Sequence, residues 1–120
     1  MLRLRRQADI QHIFRTGERF FGAWAVLRVR RREDQSLPAQ GLRLAVLTTR
    51  HFPNAVSRNR ARRLVRETCR LLLRQAQETW DLIFVLRPGV LATTLTDRLQ
   101  ALGDLLRRAG VLAEKATAAV

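Results

Sequence analysis

The chain holds few of the side chains that form disulfides, metal sites or nucleophilic centres. Among its 120 residues are one cysteine and two histidines. A lone cysteine, Cys69, excludes an internal disulfide and cannot by itself make a zinc site. His12 and His51 lie far apart in sequence, with no Cys or His partner at metal-ligand spacing. We therefore expect no metal bound by the protein alone and a packed thiol at Cys69.

Long apolar stretches are also missing. No apolar run approaches the length needed to span a bilayer. The basic start of the chain is followed by polar Gln7 and Asp9 rather than by the apolar stretch of a signal peptide. These absences predict a cytoplasmic protein that does not associate with membranes.

Acidic residues are scarce relative to basic ones. Lys and Arg number 23 against 10 Asp and Glu, so the formal net charge is +13 and the pI is near 11.9. That balance is typical of proteins that bind nucleic acid or anionic membranes. Since 47% of the residues are hydrophobic, the chain can bury a core and display its charge on a folded surface. The length predicts one domain over residues 1–120, with 113–120 as a flexible tail.

Much of the positive charge lies in residues 54–74, which hold seven arginines and a single acid. At about 100° per residue, this segment forms a helix with a basic arc of about 140° opposite an apolar arc. We call it the arginine helix. The basic arc comprises Arg58, Asn59, Arg62, Arg63, Arg66 and Arg70, and the apolar arc comprises Ala61, Leu64, Val65, Thr68, Leu71 and Leu72.

The spacing of these arginines favours a polyanionic partner over an ordinary solvated surface. A solvated helix face normally mixes charges at i,i+4, whereas four arginines from Arg58 to Arg70 repeat at that interval and repel one another. A bound polyanion would relieve this repulsion. Arginine favours phosphate in particular, because its planar fork donates two hydrogen bonds at once.

The rest of the pattern predicts an α+β domain: a small sheet with helices packed on it. Asp9 suits the cap of a first helix that ends at Gly17. Residues 20–31 and 42–48 have strand-like patterns, and the polar segment 32–41 suits a hairpin between them.

The second half of the chain alternates helix and strand. Pro53 and Asn54 suit the start of the arginine helix. Residues 80–86 form an apolar strand, and Thr94 or Thr96 can begin a last helix that Gly110 closes. The arginine helix could therefore be the crossover of a parallel βαβ unit. Periodicity does not reveal whether such a crossover is left-handed or right-handed.

The arginine helix closely resembles the signature helix of the bacterial ribonuclease P protein component. The motif Arg58-Asn59-Arg60 is preceded by Asn54-Ala55-Val56 and followed by Arg62-Arg63-Leu64-Val65-Arg66-Glu67. The resemblance extends to Arg3 through Phe14, to Gly17, to the strands Ala25 to Val29 and Leu42 to Leu47, and to Asp81 through Gly89. It covers most of the chain up to about Leu106.

The resemblance implies a protein subunit that binds a large catalytic RNA. The assembly removes the 5′ leader of precursor transfer RNA by metal-assisted hydrolysis, with Mg²⁺ held mainly by RNA, and needs no further protein partner. The family fold is a two-layer α/β sandwich with a left-handed βαβ crossover. The residues implied to bind the catalytic RNA are Arg58, Asn59, Arg60, Arg62, Arg63, Arg66 and Arg70.

A second implied site is a cleft between the first helix and the sheet that holds the single-stranded leader. Its matching residues are Phe14, Arg28, Arg50 and His51, although Phe14 could equally be an ordinary core contact against Ile13. Aromatic rings stack bases without reading sequence, and cations hold the backbone. The chain departs from the family pattern at four positions, with Ile10 for an aromatic, Arg28 for tyrosine, His51 for lysine and Pro53 for glycine. Leader binding should therefore depend more on charge than on stacking.

The distribution of acids agrees with catalysis by the RNA partner. Asp9, Asp81, Asp97 and Asp104 are scattered over three predicted elements, and most of them suit caps or turns. Hydrolysis of a phosphodiester commonly needs metal ions held by clustered carboxylates. The protein alone should therefore not cleave RNA.

Two other classes of protein are compatible with the charge. A ribosomal or architectural module could place the same helix in a nucleic-acid groove, but this leaves the basic residues outside the helix unexplained. A protein of anionic membrane surfaces is opposed by the cap signals and by the continuous apolar strand.

Overall fold

The computed structural model describes residues 2–31, 42–74, 76 and 80–113. These residues form five strands, three α-helices and one short 3₁₀ helix, Pro88–Ala92. The strands are β1 (Leu2–Arg3), β2 (Glu18–Phe21), β3 (Ala25–Arg31), β4 (Arg43–Thr48) and β5 (Trp80–Leu86), and the helices are α1 (Gln7–Thr16), α2 (Ala55–Leu72) and α3 (Leu95–Arg108). The predicted tail lies outside the described residues from 114 onward, and the single domain stays a prediction.

The five strands form one mixed sheet in the order β1-β4-β5-β3-β2. β4 pairs in parallel with both β1 and β5, whereas β3 is antiparallel to β5 and to β2. The α+β class and the parallel β4-α2-β5 unit are thus confirmed, and the left-handed crossover stays a prediction. The predicted hairpin between β3 and β4 is wrong, because β5 lies between these strands; the connecting residues 32–41 lie outside the described residues.

Alternating side chains divide the core between the two faces of the sheet. On one face, α2 and α3 cover buried residues of β3, β4 and β5, such as Leu27, Val46 and Phe84. On the other face, Ile13 of α1 packs with Ala45 of β4 and its neighbours in a smaller cluster. The first cluster is the main core, and α1 covers only part of the second face.

The structure corrects two predicted elements near the amino terminus. Helix α1 begins at Gln7, with Arg6 as its N-cap residue and no side-chain cap, so Asp9 lies in the first turn instead of capping. The predicted strand 20–31 is two strands, because the chain reverses at Gly22, whose N–H donates to the Ala25 carbonyl at 2.8 Å. A Cβ at Gly22 would lie 3.1 Å from that same oxygen, so the close turn favours glycine.

The predicted starts of α2 and α3 are confirmed. The Asn54 side chain accepts a hydrogen bond from the Ser57 N–H at 2.8 Å, and Ser57 reaches back to form a capping box. Thr94, rather than Thr96, caps α3 with the same reciprocal arrangement to Asp97. After α3, Gly110 has a φ of +82°, as expected for a residue that ends a helix.

One acid that was predicted to suit a cap or turn is a buried ion-pair partner. Asp81 is 1% exposed and accepts two hydrogen bonds of 2.7 Å from the Arg43 guanidinium. The two residues are direct neighbours in the β4–β5 pairing. Arg43 also contacts Asp9 of α1 at 3.4 Å, so one guanidinium joins α1, β4 and β5. The hydrogen bond to Asp81 raises the pKa of Arg43 above its usual value.

Cys69 is fully buried in α2, and burial raises the pKa of its thiol from 9.0 to about 12. The thiol should therefore resist thiol reagents at pH 8 in the folded protein and react fully on denaturation. Above pH 9 the unfolded chain ionises this thiol while the folded chain does not, so stability should fall as pH rises from about 9 to 12. Labelling kinetics with and without denaturant measure the protection of the thiol, and rapid labelling of the folded protein would contradict that protection.

Candidate nucleic-acid interface

Helix α2 separates an apolar face from a basic one, but it is rotated from the predicted orientation. Its buried residues are Ala61, Val65, Thr68 and Cys69. Leu71, placed on the apolar arc by periodicity, is 42% exposed. The core thus lies nearer the side of the helix that carries Cys69. Among the predicted RNA-binding residues, Asn59, Arg60, Arg63 and Arg70 are exposed, whereas Arg58, Arg62 and Arg66 are half-buried.

This rotation draws two arginines to the flank of α2. Arg62 donates from Nη1 to the Thr48 hydroxyl of β4 at 3.5 Å and from Nη2 to the Asn59 side chain. Burial, followed by the charges of Arg3 and Arg62, lowers the pKa of Arg66. The fold therefore holds the Arg62 guanidinium in place, and the basic surface continues from α2 toward β4.

A groove with a volume of about 210 Å³ lies on the second face of the sheet, beside α1. Its floor is apolar and its walls combine two phenylalanine rings with three guanidinium groups. None of its lining residues is acidic. These residues are Phe14, Arg19, Phe21, Val26, Arg28, Thr49, Val85 and Arg87.

Arg28 and Phe14 are held against each other inside the groove. The Arg28 Nη1 donates to the Phe14 carbonyl at 2.8 Å, and its guanidinium carbon lies 4.4 Å from the centroid of the Phe14 ring. Burial, followed by the charge of Arg19, lowers the pKa of Arg28, although an arginine stays charged near neutral pH. The cation therefore occupies one face of the ring that was predicted to stack bases.

A second aromatic residue in the groove is more accessible. Phe21, on the edge strand β2, is 58% exposed. Arg19 of the same strand lies over its ring, 5.7 Å from the centroid. Phe21 therefore offers a larger free surface for stacking a planar base than Phe14 does.

The predicted leader residues are only partly brought together. Phe14 and Arg28 line the groove, whereas exposed Arg50 and His51 lie in the turn before α2 and do not line it. Thr49, next to Arg50, does line it, and its hydroxyl is buried without a hydrogen-bond partner in the described part of the chain. The roles of all four residues stay predictions.

Sequence reasoning missed three charged or aromatic residues of the groove: Arg19, Phe21 and Arg87. The alternation of Arg19 and Phe21 on one side of a short strand was the available signal. It was hidden because residues 20–31 were interpreted as one continuous strand. Arg87 directly follows β5, and its side chain lines the groove.

The departures from the family pattern also have positions in the structure. Ile10 packs against the smaller cluster on the second face, so it contributes to the core beneath α1. Pro53 is exposed immediately before the cap of α2.

The protein offers little for binding a metal ion. Within residues 2–31, 42–74, 76 and 80–113, no group of three or more His, Cys, Asp or Glu side chains could hold one. The groove and α2 present guanidinium groups, which repel cations, whereas Mg²⁺ requires oxygen ligands. These residues do not fit a protein-bound Mg²⁺. Nor does any helix in this part of the chain have the length and hydropathy needed to cross a membrane.

Comparison with known proteins gives consistent matches over most of the chain. A family model described as Ribonuclease P matches residues 1–110. The ribonuclease P protein component of Chloroflexus aggregans is 40% identical over 106 residues, covering 88% of this chain and 73% of the relative. That of a Cyanothece species is 31% identical over 122 residues, covering 92% and 93%.

Solved structures have the same fold. The RNase P protein of Staphylococcus aureus gives a TM-score of 0.77 at 22% identity, covering 92% of this chain and 97% of the other. The RNase P protein of Thermotoga maritima gives 0.75 at 24% identity, covering 90% and 97%. At these identities the likeness supports the architecture alone.

Proposed function

Because this chain belongs to the bacterial ribonuclease P protein component family, it is a protein subunit of ribonuclease P, and we propose how it acts. Helix α2 binds the catalytic RNA, and the groove beside α1 binds the single-stranded 5′ leader of precursor transfer RNA. The assembly then cleaves the leader to give the mature 5′ end. We place it in the cytoplasm, without a further protein partner.

The observation that carries this proposal is the uncompensated charge of α2. None of its arginines forms a salt bridge with an acid of the described residues. Its opposite face is anchored in the core through Ala61, Val65 and Cys69, so the cations are presented on a rigid support. Guanidinium groups on a rigid helix, with no acidic partner among the described residues, are suited to the phosphates of a folded RNA.

The groove supports binding of a single strand. It is open along the sheet and lined by Arg19, Arg28 and Arg87, which can hold successive phosphates. Phe21 offers an exposed ring for one base. Because Arg28 already covers Phe14, charge contributes more to leader binding here than stacking on Phe14 does.

The protein's contribution to catalysis is positioning. Two polyanions, the catalytic RNA and the substrate, must approach closely, and cations placed between them reduce their repulsion. The chemistry is assigned to metal ions held by RNA phosphates, since the described residues have no carboxylate cluster to hold them.

Reconstitution tests the function. Adding this protein to a bacterial ribonuclease P RNA should restore cleavage of precursor transfer RNA at low Mg²⁺ concentration, where the RNA alone is slow. Protein without RNA should cleave nothing. A general basic RNA-binding protein of similar charge is the control, because it supplies cations without the specific surface. Equal stimulation by that control, or cleavage by RNA-free protein, would contradict the proposal.

Substitution of the groove aromatics should weaken binding of leader-bearing substrate. We expect Phe21→Ala to lower the affinity by about 1 to 3 kcal/mol, the range for loss of one base stack. Phe14→Ala should have a smaller effect, because Arg28 occupies one face of that ring. Arg50→Ala should cause only a small electrostatic loss, since Arg50 lies outside the groove lining.

Leaderless mature transfer RNA is the matched control, with affinities measured for holoenzyme reconstituted with each variant. It should bind all variants nearly equally. Equal losses for both substrates would mean that these residues act through folding or RNA docking, and the leader site would have to be withdrawn.

A further inference from the structure

A second basic site lies at the opposite edge of the sheet from the leader groove. There a cavity of about 270 Å³ opens between β1, β4 and α2. Its walls carry Arg3, Arg5 and Arg66, and its floor is formed by residues 44–47 of β4. We call this cavity the edge notch.

The strand register explains why the arginines of β1 meet α2. The Leu4 N–H donates to the Leu44 carbonyl at 2.8 Å, and the Leu4 side chain is 5% exposed in the smaller cluster with Ile13. Because successive side chains of an extended chain alternate between faces, Arg3 and Arg5 lie on the other face. That is the face covered by α2, where Arg66 is half-buried.

The charges of the edge notch are not neutralised by the protein. Neither Arg3, Arg5 nor Arg66 forms a salt bridge with any acid in the described ranges. The notch lining contains no acidic residue. The repulsion from Arg3 and Arg62 acts on Arg66 in addition to its burial, and both lower its pKa. Like charges gathered between α2 and the amino-terminal segment oppose the pairing of the edge strand β1 with β4 unless an anion lies between them.

We propose that the edge notch binds a backbone phosphate of the catalytic RNA through Arg3, Arg5 and Arg66, so that docking extends from α2 onto β1. The inference depends on the proposed RNA partner but adds residues that lie outside the arginine helix. A phosphate fits because its oxygens can accept hydrogen bonds from several guanidinium groups at once.

The proposal has a consequence for β1. RNA that binds only when Arg3, Arg5 and Arg66 are gathered stabilises that arrangement by mass action. The Leu4 amide, which bonds to Leu44, should therefore exchange its hydrogen more slowly in the RNA complex than in the free protein. In the free protein the mutual repulsion of these arginines should instead destabilise the pairing of β1 with β4.

The test compares two charge-matched double variants of the full chain. Arg3→Gln/Arg5→Gln removes two cations from the edge notch. Arg15→Gln/Arg30→Gln removes two exposed cations of α1 and β3, outside both the notch and α2. Binding to a bacterial ribonuclease P RNA should weaken about tenfold or more for the first variant relative to the second. The magnitude of the slope of log affinity against log salt should fall by roughly 0.7 to 0.9 for a lost phosphate contact.

Two further measurements separate a docking role from a structural one. In free protein, Arg3→Gln/Arg5→Gln should melt no lower than wild type, because a repulsion is removed. In a double-mutant cycle, Arg3→Gln and Arg66→Gln should weaken RNA binding less than additively, since both act on one phosphate. A structural role would instead lower the melting temperature and leave the salt slope unchanged.

The outcomes distinguish this inference from the proposed function. Equal RNA affinity for the notch variant and its control would overturn the edge notch while leaving docking through α2 intact. Full additivity of the cycle would also overturn it, because the arginines would then not share a phosphate. If the proposed function itself were wrong, the result would differ: RNA affinity would stay unchanged when exposed arginines of α2 are replaced.

Discussion

Replacing Arg58, Arg62 and Arg66 with glutamine should weaken binding of ribonuclease P RNA by about three orders of magnitude. Each charge-assisted hydrogen bond to a phosphate contributes about 1.5 kcal/mol or more, and three are removed. The fold should persist, because the buried face of α2 depends on other residues, such as Ala61 and Val65. Among the described residues, the side-chain hydrogen bonds lost are those of Arg62, which donates to Asn59 on the same exposed side of α2 and to Thr48 at 3.5 Å.

The measurement is a binding titration at several salt concentrations, with circular dichroism to verify folding. The magnitude of the salt slope should fall by roughly 2 to 3 for three lost phosphate contacts. Arg6→Gln/Arg15→Gln/Arg30→Gln is the matched control, since these exposed residues lie outside α2. Unchanged affinity in the α2 variant, or an equal loss in the control, would show that the arginine helix does not dock on RNA.

Asp81→Asn should destabilise the protein by about 3 to 5 kcal/mol, a large fraction of the stability of a small domain. The substitution leaves the Arg43 guanidinium without its carboxylate beside the buried end of β5, where two bonds of 2.7 Å hold it. It also weakens the link to α1 that passes through Arg43 and Asp9. Leader binding should weaken indirectly as α1 loosens against the sheet.

Asp104→Asn is the control for Asp81→Asn. Asp104 pairs with Arg107 one turn away on α3 and is 58% exposed, so its loss should change stability by less than about 1 kcal/mol. Urea denaturation of both variants, followed by fluorescence, measures the difference. A second variant, Asp81→Leu/Arg43→Leu, should recover part of the stability, because it removes the buried pair as a whole and takes only a 3.4 Å contact from the partly exposed Asp9. Equal stabilities for Asp81→Asn and wild type would show that the ion pair contributes nothing.

The sequence allowed the local features of the fold to be predicted. The cap at Asn54, the length of the arginine helix and the strand Trp80–Leu86 all follow from periodicity and cap chemistry within a few residues. The same signal placed Leu71 in the core, where the structure exposes it. Periodicity gives an apolar arc, but the packed sheet and α3 select which part of that arc is buried.

Long-range pairing was beyond the reach of local patterns. Asp81 and Arg43 are 38 residues apart and meet because β4 and β5 are parallel neighbours. The same pairing places β5 between β3 and β4, which the hairpin prediction did not foresee. At the site, Phe14 and Arg28 were predicted because the family motif covers them. Arg19 and Phe21 were missed, because their contribution depends on where the reversal at Gly22 returns the chain.

The central position of β5 also constrains the order of events during synthesis. β5 pairs with both β3 and β4, so the sheet cannot assemble until residue 86 has left the ribosome. At about 5 to 20 residues per second, the β2–β3 ribbon then waits about three to eleven seconds after its own completion at Arg31. During that time the nascent chain carries its arginines without a folded core behind them. Chains released from the ribosome before β5 has been synthesised should therefore be degraded readily by added protease, whereas chains released after α3 should resist it.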